Sequence, residues 1–107
     1  MNNLKFSKVG WFADEMSARY EAVVNENIKV RVFKDTYFNG FRFEFLTSNG
    51  YDLGNLTGDY LCSFWNNATK KQAVNKVIEI LKTTECFIQI EQKAIEVKNT
   101  MSNYGFN

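Results

Sequence analysis

Apolar and polar residues alternate strictly through Ile28-Lys29-Val30-Arg31-Val32 and again through Phe41-Arg42-Phe43-Glu44-Phe45. A period of two is what a strand with one buried face produces. Asn39-Gly40 stands just before the second run, and both residues tolerate the positive φ of a two-residue hairpin turn. A turn there sets a register in which Phe38 faces Phe41, Lys34 faces Phe45 and Val32 faces Thr47. Val30, Val32, Phe38, Phe41, Phe43 and Phe45 then share the core side, while Arg31, Phe33, Tyr37, Arg42 and Leu46 point away from it. The same register sets Asp35 opposite Glu44, and that like-charge opposition predicts a bulge near Asp35 or a wider loop.

Helical spacing governs the flanks. Phe12, Met16, Tyr20, Val23 and Val24 fit one face of an N-terminal helix from Phe12 to about Val24, with Asp14 and Glu15 in its first turn. Glycines at 50, 54 and 58 mark a polar loop, after which Tyr60 to Trp65 offers a third strand. Thr69-Lys70-Lys71-Gln72 has the form of a capping box and opens a helix with Ala73, Val74, Val77, Ile78 and Leu81 on one face. Past Leu81 the stripe changes phase to Phe87, Ile90, Ala94, Val97 and Met101, which predicts a break near Thr83-Thr84 and a second helix. A strand over 86–90 is the rival there, and the strong helix formers Glu91 to Ala94 weigh against it. The expected fold is α+β, in the order α-β-β-β-α-α. It has a three-stranded antiparallel sheet packed against an N-terminal helix and one or two C-terminal helices. Residues 1–107 form one domain, with a loose tail at 103–107.

Composition adds few constraints. With 107 residues, 45% hydrophobic and 23% charged, the chain has the profile of one folded domain. Thirteen basic against twelve acidic residues give a net charge of +1, so no whole-molecule field steers nucleic acid towards it. There is no histidine, and Cys62 and Cys86 stand apart without a C-x-x-C spacing. No metal site and no cofactor is expected, and both cysteines read as small apolar residues in a reducing cytoplasm. No apolar run has the length of a bilayer span. Residue usage matches A/T-rich coding, so the expected location is the cytoplasm of a bacterial or phage-infected cell.

Ten of the seventeen aromatic residues fall between Phe33 and Trp65, a density that suits a surface for binding more than a site for reaction. Without histidine, acid-base work falls to carboxylates, lysines or tyrosines, and Asp52 and Asp59 beside the glycine loop match no cation-binding spacing. The chain is therefore read as non-enzymatic. The candidate binding residues are Phe33, Tyr37 and Arg42 on the outer sheet face, joined by Tyr51 and Trp65, because aromatic and arginine side chains dominate interface centres. A protein partner is the first expectation. A small single-stranded nucleic-acid module that stacks bases on the same rings is the alternative. The order of helix, aromatic antiparallel sheet and then Ala68-Thr69-Lys70-Lys71-Gln72-Ala73-Val74 opening a helix after Phe64-Trp65 resembles small bacteriophage accessory proteins, anti-CRISPR-type inhibitors among them. The resemblance implies an inhibitor that binds and blocks a host defence complex. Such proteins share no motif by which individual residues carry over.

Overall fold

In the computed structural model, residues 4–9, 19–35, 40–53 and 68–103 are described. They form strands β1 (Ser7–Val9), β2 (Arg19–Val23), β3 (Ile28–Asp35) and β4 (Gly40–Thr47), then helices α1 (Lys70–Lys82) and α2 (Thr84–Asn103). The strands make one antiparallel sheet in the order β1-β2-β3-β4. The architecture is α+β as expected, but the sheet has four strands and the expected N-terminal helix is absent where the chain is described.

Residues 19–23, the end of that expected helix, are β2. Tyr20, Val23 and Val24 do satisfy a helical period, yet Tyr20 and Ala22 equally satisfy a period of two, and a run this short fits both. Strand pairing decides the matter: as β2, the segment sets Ala22 against Val30 and Glu21 against Arg31. The β2–β3 connection is tightened by Asn25, whose Oδ1 accepts from the backbone N–H of Asn27 at 2.8 Å and of Ile28 at 3.0 Å. The expected strand over Tyr60–Trp65, residues 104–107 of the expected tail at 103–107 and residues 12–18 of the expected helix lie outside the described residues, while Asn103 is the last residue of α2 and not tail.

The β3–β4 register also differs from the expected one. Lys34 faces Phe41, not Phe45, and Val32 faces Phe43, not Thr47. The observed register relieves the like-charge opposition: Asp35 pairs with Gly40, and Glu44 faces Arg31 in place of Asp35. The offset is even, so the faces stay as expected. Val30, Val32, Phe43 and Phe45 are buried on the core side, and Phe43 and Phe45 meet edge to face at 5.8 Å.

Both helices pack on that side. Thr69 Oγ1 accepts from Gln72 N at 3.1 Å while Gln72 Oε1 accepts from Thr69 N at 2.8 Å, completing the capping box read in the sequence. Ala73, Val77, Ile80 and Leu81 of α1 join Ile90 and Ala94 of α2 in the core, and Thr83 separates the helices where the stripe changes phase. Residues 86–90 are therefore helical. Asn25 Nδ2 donates to Glu91 Oε2 at 2.8 Å, fixing α2 to the β2–β3 turn. After β4 the chain folds back along the strand: Thr47 N donates to Tyr51 O, Leu53 N to Phe45 O and Phe41 N to Ala68 O. That return needs Gly50 at φ +96°, a conformation unfavourable for a side chain bearing Cβ. Among the described residues, no helix is long and apolar enough to cross a membrane.

Candidate functional site

The sheet face turned away from the helices is built from three cross-strand rows. Val9, Arg19, Phe33 and Arg42 form one, Ser7, Glu21, Arg31 and Glu44 the next, and Val23, Lys29 and Leu46 the third. These positions alternate with the core residues along each strand, so one pattern of sequence produces both the core and this surface.

The middle row is an ionic ladder. Arg31 reaches Glu21 at 2.9 Å through one nitrogen and Glu44 at 2.9 Å through another, and Lys29 adds a contact to Glu21 at 3.2 Å. Burial acts to raise the Glu21 pKa, but hydrogen bonds from Arg31 and Lys29, with their positive charges, outweigh it and hold the carboxyl below its ordinary value. An open groove of ≈ 380 Å³ lies at this edge of the sheet, lined by Lys5, Ser7, Glu21, Ala22, Val23 and Lys29. Its one carboxylate is already held by Lys29 and Arg31, so the groove is a consequence of the ladder more than a place for a ligand.

The row beside it is different in kind. Phe33 is half-buried between Arg19 on β2 and Arg42 on β4, and the Arg42 guanidinium lies 5.8 Å from the ring centroid, within cation–π range. Of the residues expected to form the site, Phe33 and Arg42 are thus neighbours. Tyr51 stands apart from them: it bonds to Thr47 through its own N–H at 2.9 Å and through its carbonyl at 2.8 Å. Thr47 is five residues along β4 from Arg42, about 16 Å at roughly 3.3 Å per residue. Tyr37 and Trp65 lie outside the described residues. The outer face is also closed at its far end, because Leu46 is only 2% exposed and Asp52 pairs with it.

Arg19 is the member of this row that sequence reasoning missed. Its signal was present in the alternation Arg19-Tyr20-Glu21-Ala22-Val23, which a helical reading absorbs. No cluster of three or more metal-ligating side chains occurs among the described residues. No protein-family model, curated protein or solved structure matches this chain.

Proposed function

We propose that this chain is a non-enzymatic protein-binding domain that acts by docking on a partner protein, in the manner of a phage or mobile-element inhibitor blocking a host defence complex. One observation carries the reading: the Arg19-Phe33-Arg42 row on the face turned away from α1 and α2. An aromatic ring with one guanidinium 5.8 Å from its centroid and a second arginine opposite it on the next strand has the composition of an interface centre, where a flat apolar surface is joined to planar donors. The neighbouring ladder supports the same role by holding the strands that carry the row in one geometry.

Pull-down from a bacterial lysate, with and without nuclease, tests it. The expected result is one stoichiometric protein retained after nuclease treatment, with binding weakened by about 1 to 3 kcal/mol in Arg42→Ala or Phe33→Ala. Recovery of nucleic acid alone, or full retention of the protein by both variants, would refute the proposal.

A further inference from the structure

A second group of cations gathers on the helix-bearing side of the sheet, around Tyr20. The register sets Lys8 beside Tyr20 and Tyr20 beside Val32, and Lys34 follows Val32 on the same face. The hydrogen bond from Phe41 N to Ala68 O brings the start of α1 to this corner, and Lys70 Nζ lies 3.6 Å from the centroid of the Tyr20 ring. Lys71 is next in the first turn. Lys8, Lys34 and Lys71 are exposed, whereas Lys70 and Tyr20 are half-buried.

Two features mark this group. None of the four forms an ion pair among the described residues, although Lys29 and Arg31 are each held by carboxylates. In addition, the first turn of α1 contains no acidic residue, so Lys70 and Lys71 stand where the helix dipole favours negative charge. Among the described residues the fold thus assembles positive charge against local preference with no counter-charge, a kind of conflict found at functional sites.

We propose that Lys8, Lys34, Lys70 and Lys71 around Tyr20 bind the phosphate backbone of a single-stranded nucleic acid. The exposed large apolar residues among those described are Val23, Ile88 and Ile95, and none belongs to this corner. A membrane surface or a protein interface needs an apolar anchor, and the described residues of the corner supply none. A phosphate chain needs spaced cations, and a ring among them is how proteins hold unpaired strands. Lys8 and Lys34 are two strand spacings apart across the sheet and two residues apart along it, about 12 Å in all, so the cations extend along a path and do not converge on one point. This site shares no residue with the Phe33 row and stands independently of the protein-docking proposal.

The test is fluorescence anisotropy of a labelled oligothymidylate with the full chain, titrated from about 50 to about 200 mM salt. Saturable binding is expected, with a log–log salt slope of about −2 to −3 for three or four neutralised phosphates. Lys71→Glu should weaken binding about tenfold while leaving the melting midpoint unchanged or raising it, because a carboxylate suits the first turn of a helix. Lys93→Glu, on α2, should bind as the native chain does. No saturation at the lowest salt would overturn the proposal. So would native affinity in Lys71→Glu, an equal loss in Lys93→Glu, or displacement of the oligonucleotide by phosphatidylserine vesicles.

Discussion

Arg31 and Lys71 carry the same charge into opposite circumstances. Arg31 lies in the centre of the sheet with Glu21 on one side and Glu44 on the other, each at 2.9 Å. Lys71 stands in the first turn of α1 with Lys70 before it and no acidic residue in that turn. The first cation is part of what holds neighbouring strands in register; the second opposes the helix that carries it. A net charge of +1 conceals this division, because the sequence is balanced while, among the described residues, the fold pairs some charges and gathers others of one sign.

The largest expected effect removes the floor on which both groups stand. Phe43 is 2% exposed at the centre of the core, and Phe43→Ala should cost about 3 to 5 kcal/mol in denaturant unfolding. A loss under about 1 kcal/mol would place the core on the other face and exchange the roles of the two cation groups. Arg31→Met comes next. It leaves two partly buried carboxylates without their main donor and should cost about 1 to 2 kcal/mol, discounted for their partial exposure. A double-mutant cycle with Glu44→Gln should show coupling, and additivity would mean that the ladder does not act as a unit.

The pH dependence sharpens the contrast. Because the folded pKa of Glu21 lies below its unfolded value, its contribution is fully present above the unfolded pKa and is lost as pH falls through the folded pKa. Acid unfolding curves should therefore show Glu21→Gln less stable than the native chain at neutral pH and closer to it in acid. Parallel curves across that range would remove the ladder's electrostatic role. The smallest effect has the opposite sign: Lys71→Glu should stabilise α1 by about 0.5 kcal/mol, read as a rise in the unfolding midpoint.

The parts of the molecule that the sequence made legible are those where local and tertiary preferences agree. Residues 28–32 and 41–45 alternate because one face is core, and the box from Thr69 to Gln72 caps a helix by contacts within four residues. The β3–β4 register was not legible from Asn39-Gly40 because that local turn preference lost to a long-range one, the placing of Glu44 against Arg31. β2 fits two periods at once, and β1, at three residues, is too short to show any period. Phe33 and Arg42 were found on one face by parity alone. The lysine corner was out of reach, since Lys8, Lys34 and Lys70 meet only through strand pairing and the docking of α1.

The division between the Arg31 ladder and the lysine corner is tested most directly by mapping backbone amide chemical shifts of the ¹⁵N-labelled chain during titration with oligothymidylate. Perturbations are expected at Lys8, Tyr20, Lys34, Lys70 and Lys71, with Glu21, Lys29, Arg31 and Glu44 unmoved. Perturbations centred on the Arg31 row, or spread evenly over all surface lysines, would contradict that division.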